Sequence, residues 1–209
     1  MSETAAATSG DSAAPALARF FYLTRGMWNY VCVGLAMALK ALAGSSVPPW
    51  AFGLLAAVVL VVQAWRIWGA GYVGRPARGA APVAEALITA GPYAYVRNPM
   101  YLGTVTGLLA FAGMSGLWYA VLAVAVILGV VYGSAIVCEE AFLSARFGEE
   151  YRRYREAVPR LLPIQLAGGE GHRRPAAKQG RFRLSEGVLN ESGFIVLLPL
   201  FFALFWFLG

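Results

Sequence analysis

The chain has 209 residues, of which 59% are hydrophobic and only 13% are charged, and its formal net charge is +6. This composition is too apolar for an ordinary soluble domain and indicates a small integral membrane protein. The basic residues lie in loops beside apolar segments, which is typical of loops at a lipid surface and argues against nucleic-acid binding. The two cysteines lack a partner spacing and His172 is the only histidine, so we expect neither a disulfide framework nor a metal site.

Apolar segments recur along the chain and predict an all-α integral membrane protein with about five transmembrane helices. Each segment approaches the ~20 residues that a helix needs to cross a bilayer. The segment before them lacks the basic start and apolar run of a signal peptide, so we expect residues 1–25 to form a disordered tail. Residues 26–209 then form a single membrane-embedded domain. The predicted spans are 27–43, 49–73, 99–114, 117–138 and 191–208.

Lysine and arginine are concentrated in the N-terminal tail and in two long loops, and ten of them fall between residues 146 and 183. The positive-inside rule therefore predicts that the N-terminus and both long loops are cytoplasmic and that the C-terminus is outside. Two basic residues lie within predicted spans. We expect Lys40 to reach the interface, whereas Arg66, between Trp65 and Trp68, either does the same or contacts an anionic ligand group.

Two polar blocks flank the third and fourth spans. The first, TAGPYAYVRNPMYLG, contains a Gly91-Pro92 turn and an Asn98-Pro99 break that starts the third helix. Alone, it would be explained by an aromatic and basic anchor at the membrane interface. Before it, Gly69, Gly71 and Gly74 match the dinucleotide fingerprint, but they follow a membrane helix rather than a strand and indicate a helix exit.

The second block begins at Glu139-Glu140, directly after an apolar run, where an unpaired charge is costly. Adjacent helical residues point ~100° apart, so we expect one carboxylate to face a cavity and the other to pair with arginine. Phe147-Gly148 ends this helix, and the next segment is amphipathic. The short hairpin 99–138 should bring the two blocks together on the cytoplasmic side.

These ordered motifs resemble the isoprenylcysteine carboxyl methyltransferase and phospholipid methyltransferase superfamily, whose members are integral membrane enzymes that use S-adenosylmethionine. The family pattern is T-x-G-P-Y, R-H-P-x-Y-x-G, an apolar hairpin, E-E, F-G-x-x-Y-x-x-Y and a V-P-x-x-x-P-like element. The resemblance covers residues 60–163 and leaves the span 191–208 as an addition. The matching segments are Thr89 to Tyr93, Arg97 to Gly103, Glu139-Glu140, Phe147 to Tyr154, and Val158 to Pro163.

The resemblance implies an S-adenosylmethionine-dependent methyltransferase for a lipophilic or prenylated substrate, with isoprenylcysteine-like carboxyl O-methylation as the expected reaction. A sulfonium cation suits tyrosine faces and a carboxylate, and methyl transfer requires mainly alignment and exclusion of water. We expect Arg97 and Arg155 to act in catalysis, and Arg66 and Tyr154 to bind the substrate. The implied cofactor pocket is formed by Glu85, Ala86, Leu87, Ile88, Tyr93, Asn98, Pro99, Met100, Tyr101 and Glu139.

Two positions depart from the family pattern. Asn98 stands where members usually have histidine, and it keeps hydrogen-bonding capacity but cannot titrate. Ala135 stands where the carboxyl methyltransferases have an arginine implicated in holding the substrate carboxylate. Without that cation, carboxyl methylation requires that Arg66, Arg97 or Arg155 substitutes for it. A phospholipid amine or another small acceptor is therefore the alternative substrate.

Two hypotheses from other functional classes are alternatives to the methyltransferase. NADPH-dependent sterol reductases resemble the same region, but they are longer chains with more spans. A noncatalytic membrane scaffold would not need paired glutamates coupled to a tyrosine-rich turn. Membrane lipids are expected partners in every case, and the residues do not predict an oligomeric state.

Overall fold

The computed structural model describes residues 16–74, 86–162 and 180–208, and within these ranges it contains five α-helices and no strand. A short 3₁₀ helix, Gly91–Ala94, precedes the third α-helix. The all-α architecture is therefore confirmed. In chain order the helices are α1 (Ala16–Ala43), α2 (Pro49–Val73), α3 (Pro99–Gly113), α4 (Trp118–Ala157) and α5 (Leu184–Phe207).

Four of these helices, all except α3, are long and apolar enough to cross a membrane. α3 has 15 residues and spans about 22 Å, which is shorter than the ~30 Å hydrocarbon core of a bilayer. α4 has 40 residues, and its part before Gly148 spans about 45 Å, so it extends beyond one bilayer core.

Two helix boundaries differ from those expected. α1 begins at Ala16, so residues 16–25, which we assigned to the tail, are helical, and Tyr22 is buried against the bundle. α5 begins at Leu184, before the predicted span, because its first turns pack against the end of α2. α4 continues from the predicted span into the charged second block.

The long helix α4 is broken at Gly148, as the Phe147-Gly148 pair predicted. The Gly148 backbone has φ 50° and ψ −117°, a region in which side chains larger than glycine are strained. The break redirects the last turns of α4 toward the first polar block, where Tyr151 and Tyr154 become buried.

The apolar core lies between the helices around Phe111, which is fully buried. Its ring is surrounded by aromatic side chains of α5, with centroids 5.6 to 6.2 Å apart, in the range that favours aromatic pairs. α5 is thus part of the bundle and not a separate anchor. These side chains are Phe194, Phe201, Phe202 and Phe205.

The α1–α2 and α3–α4 linkers meet at one end of the bundle. The Ser45 hydroxyl donates to the Ser115 carbonyl over 2.6 Å, and the Lys40 ammonium donates to the Ser45 carbonyl over 2.9 Å. Lys40 is buried, so its charge is held by this linker carbonyl. The two polar blocks lie at the other end of the bundle.

Candidate functional site

The first polar block is fastened to the end of the second by backbone and side-chain hydrogen bonds. The Arg97 amide donates to the Pro159 carbonyl over 2.8 Å. The Asn98 amide and its side-chain Nδ2 both donate to the Arg160 carbonyl, over 3.2 and 3.1 Å. Part of the hydrogen-bonding capacity of Asn98 therefore holds the chain after α4 in place.

Glu140 is the ionic link between the blocks. Its Oε1 lies 3.1 Å from Nη2 of Arg97, and both side chains are about nine-tenths buried. Arg160 donates to the same carboxylate over 3.1 Å, and this hydrogen bond raises the pKa of the Arg160 guanidinium. Glu139 instead lines a cavity. The prediction that one carboxylate faces a cavity while its neighbour pairs with arginine is confirmed.

The cavity has a volume of about 510 Å³, within the range of small-molecule sites. It lies where all five helices and the 3₁₀ turn converge. Because Asn98 and Glu139 line the same cavity, the hairpin 99–138 brings the two blocks together as predicted. The predicted site residues that line it are Arg66, Tyr93, Arg97, Asn98, Pro99, Met100, Tyr101 and Glu139.

Other predicted residues do not line this cavity. Leu87 packs with Tyr154 in a separate small cluster, and Ala86 and Ile88 are likewise outside the cavity lining. The Tyr154 hydroxyl donates to the Tyr93 carbonyl over 2.8 Å and so supports the site from behind. Glu85 lies outside the described residues.

Arg155 takes part through its backbone and not through its charge. Its carbonyl accepts a hydrogen bond of 2.7 Å from Nη1 of Arg97, while its own side chain is exposed. The structure therefore does not bring the Arg155 guanidinium into the cavity with Arg97.

Arg66 forms a bidentate pair with Glu191 of α5, with both N–O distances at 2.9 Å. It also donates to the Thr104 hydroxyl, and Gln63 donates to Glu191 over 3.2 Å. Glu191 is buried and lines the cavity. Sequence reasoning missed it, although a carboxylate within an apolar span is itself a signal of a functional or paired site.

Sequence reasoning also missed the contribution of α1. Tyr22, Arg25 and Asn29 line the cavity, and Asn29 accepts a hydrogen bond of 2.6 Å from the Tyr132 hydroxyl. Their spacing of three and four residues places them on one face of α1. That polar stripe on an otherwise apolar helix was the available signal.

The lining suits a compact ligand that carries both a cation and polar groups. Tyr101 and Tyr132 lie with ring centroids 5.2 Å apart on one wall, and aromatic faces attract cations. Glu139 supplies a carboxylate, and Asn29, Asn98 and Asn190 supply amides. Burial and the Glu139 charge raise the pKa of the Tyr93 hydroxyl, which therefore remains a protonated donor.

Glycines of the fingerprint-like sequence allow close packing here. A Cβ on Gly69 would lie 2.9 Å from the Met100 sulfur, and one on Gly71 would lie 2.5 Å from the Phe182 ring. Gly74 ends α2 with φ 74°. These glycines therefore allow close packing near the end of α2 and terminate the helix, in agreement with the helix-exit interpretation.

Comparison with known proteins identifies the region that carries this site. The sequence profile of the phospholipid methyltransferase family matches residues 50–150, which contain both glutamates and the first polar block. The chain is 36% identical over 78 residues to a protein-S-isoprenylcysteine O-methyltransferase of Schizosaccharomyces pombe, a match to 37% of this chain and 33% of that protein. The chain thus matches about a third of the length of that relative.

Two further relatives extend the comparison. The chain is 26% identical over 157 residues to the cobalt-zinc-cadmium resistance protein CzcN of Cupriavidus metallidurans, covering 71% of this chain and 69% of that protein. It is 40% identical over 63 residues to an uncharacterized protein of Haemophilus influenzae, whose whole length matches 30% of this chain. No solved structure matches the chain. From the family profile and the isoprenylcysteine methyltransferase match, residues 50–150 of this chain are similar to the superfamily of isoprenylcysteine and phospholipid methyltransferases.

Proposed function

We propose that this protein is an S-adenosylmethionine-dependent methyltransferase that acts on a lipophilic substrate, most closely an isoprenylcysteine-like carboxyl O-methyltransferase. The observation that carries the proposal is the convergence of Glu139 with Tyr93 and with the residues 98–101 on one cavity of about 510 Å³. The names of the matching family and of its isoprenylcysteine-specific relative support the same reaction class.

Glu139 would hold the cationic part of the cofactor, and the rings of Tyr101 and Tyr132 would flank it. When bound, S-adenosylmethionine supplies a methyl group on a cationic sulfur. The protein's task is then to align the acceptor atom with that methyl group and to exclude water. The hydrogen bonds from Tyr154 and Asn98 keep the walls of the cavity in a fixed arrangement for this purpose.

A carboxylate acceptor agrees best with the chemistry of the lining. Its oxygen forms a bond to the methyl carbon as the carbon–sulfur bond breaks, and it has no proton to lose. An amine acceptor must give up a proton, and Asn98 cannot take it because an amide does not titrate in this range, so the proton would have to go to Glu139, which the proposal assigns to the cofactor. The phospholipid methyltransferase profile keeps a phospholipid or another small acceptor as the second candidate.

The charge distribution supports a cytoplasmic location for the N-terminus and both long loops, with the cavity open to cofactor from that side. Four membrane-length helices support entry of a lipophilic acceptor from the bilayer. The orientation of the protein in the membrane is tested independently of cofactor binding.

The direct test is methyl transfer by the detergent-purified protein, with S-adenosylmethionine labelled in its methyl group. N-acetyl-S-farnesylcysteine and phosphatidylethanolamine would be offered in matched micelles. We expect base-labile label, which is the signature of a methyl ester, in the farnesylated carboxylate. Label in phosphatidylethanolamine alone would favour the second candidate, and absence of label in any lipophilic acceptor would contradict the proposal.

A further inference from the structure

The cavity is lined by three arginines, and two of them already have carboxylate partners. Arg66 is paired with Glu191 over 2.9 Å, and Arg97 is paired with Glu140 over 3.1 Å. Neither pair leaves a full positive charge for a ligand. The remaining arginine of the lining is Arg25.

Arg25 is held by Tyr22, one turn earlier on α1. Its guanidinium carbon lies 4.1 Å from the centroid of the Tyr22 ring, and its Nη1 donates to the Tyr22 carbonyl. Among the described residues, no carboxylate forms a salt bridge with it, and the carboxylate that interacts with it electrostatically is Glu139 of the same cavity. Because the proposed function assigns Glu139 to the cationic part of the cofactor, the Arg25 guanidinium is left to a second, anionic group in the cavity.

The cavity also reaches the outer surface of α1 beside Arg25. Tyr30 lines the cavity although 57% of its surface is exposed, and the neighbouring Leu23 and Met27 are exposed apolar side chains. An apolar tail lying along this side of α1 would have its head group near Arg25. The residues assigned to the cofactor lie on the 3₁₀ helix, α3 and α4 instead.

We propose that Arg25, placed by Tyr22 where the cavity meets the apolar surface of α1, binds the carboxylate of the lipophilic acceptor. This inference rests on the proposed function, because the acceptor is the one that the methyltransferase uses. Arg25 would also supply the cation for the substrate carboxylate, because position 135, where the carboxyl methyltransferases have an arginine, is alanine in this chain. A planar guanidinium holds a carboxylate through two parallel hydrogen bonds, which fixes the orientation of the oxygens.

The test compares the binding of N-acetyl-S-farnesylcysteine with that of its uncharged carboxamide to the full-length protein in detergent. We expect the wild type to prefer the carboxylate by about tenfold or more, as a charge-assisted hydrogen bond provides. Arg25→Gln should abolish this preference and leave the dissociation constant of S-adenosylmethionine within about twofold. Arg25→Lys should keep part of the preference, since it keeps the charge but not the planar fork.

Arg19→Gln is the matched control, because Arg19 is exposed on the same helix and lies outside the cavity lining. It should keep the wild-type preference. The proposal is overturned if the wild type shows no preference for the carboxylate, or if Arg25→Gln retains that preference.

It is also overturned if Arg25→Gln mainly weakens cofactor binding, because the anion at Arg25 would then be the carboxylate of the cofactor itself. Should Arg25→Gln fail to fold, the proposal is tested by the wild-type preference for the carboxylate over the carboxamide and by the reduction of that preference in Arg25→Lys. Absence of S-adenosylmethionine binding to the wild type would count against the proposed function, and the carboxylate preference would still be measured separately.

Discussion

At the scale of single residues, Glu139 and Glu140 have different roles because adjacent side chains of a helix point in different directions. Glu140 is directed toward Arg97 and Arg160 and joins the two polar blocks. Glu139 lines the cavity and has the arrangement expected of a ligand-binding carboxylate. One carboxylate of this pair thus joins the two polar blocks, while the other faces the cavity.

The first prediction concerns the buried ion pair of Glu140. Glu140→Ala should destabilise the protein by about 3–5 kcal/mol, because removing one partner of a buried pair leaves the other charge uncompensated. Glu149→Ala is the control, since Glu149 also contacts arginines but is half exposed, and exposed pairs contribute little to stability. Unfolding measured in detergent should separate the two variants. Equal stability would contradict the structural role of Glu140.

At the scale of helices, α4 functions as two segments joined at Gly148. The positive φ of Gly148 directs the last turns back over the first polar block, where Tyr154 supports Tyr93. Among the described residues, no atom beyond the neighbouring backbone lies within 4 Å of a Cβ added at this position. A substitution there therefore tests the backbone conformation and not the packing.

The second prediction follows from that geometry. Gly148→Ala should cost about 1–3 kcal/mol of unfolding free energy because of backbone strain, and it should weaken cofactor binding as the last turns shift. Gly133→Ala is the matched control, because Gly133 is helical and an added Cβ there likewise has no neighbour within 4 Å in the described part of the chain. It should be neutral or stabilise by up to about 1 kcal/mol. Equal effects of the two substitutions, measured by unfolding in detergent, would exclude a specific role for the break.

The third prediction concerns the contact between α2 and α5. A Cβ on Gly187 would lie 2.4 Å from the Ile67 carbonyl oxygen, which is backbone and cannot move aside. Gly187→Ala should therefore displace α5, disturb the Arg66–Glu191 pair and destabilise the protein by about 1–3 kcal/mol. Gly129→Ala adds a methyl group that has no neighbour within 4 Å among residues 16–74, 86–162 and 180–208, so it should leave the unfolding midpoint nearly unchanged. An unchanged midpoint for Gly187→Ala would contradict this packing.

The sequence predicted the helices and the meeting of the polar blocks more completely than it predicted the cavity. Local patterns identify spans, turns and the break at Gly148, because each depends on neighbouring residues. The roles of Arg25 and Glu191 depend on how α1 and α5 pack against the centre, which periodicity does not specify. Leu87 was assigned to the pocket by resemblance alone, and packing places it in a different cluster.

At the scale of the whole molecule, charge and topology make a fourth prediction. Reporter domains inserted within 75–85 or 163–179 should be cytoplasmic, because lysine and arginine are concentrated in these two loops. A reporter after residue 209 should be on the other side of the membrane. The short α3 must then cross the membrane as part of the bundle. Reporters after residue 209 and within 163–179 on the same side would contradict an odd number of crossings.

The central claim is that Glu139 and the first polar block form a site for S-adenosylmethionine. The decisive measurement is calorimetric titration of S-adenosylmethionine into the detergent-purified wild type, Glu139→Gln and Glu139→Ala. Glu156→Ala serves as the control, because Glu156 is exposed on the same helix and pairs only with Arg152 among the described residues. Unfolding midpoints of all four proteins would establish that each is folded.

We expect the wild type and Glu156→Ala to bind with similar affinity. Glu139→Gln should bind about 10- to 100-fold more weakly, because it loses a charge-assisted hydrogen bond, and Glu139→Ala should be at least as weak. Absence of binding to a folded wild type, or unchanged affinity in both Glu139 variants, would contradict the assignment of this cavity as the cofactor site.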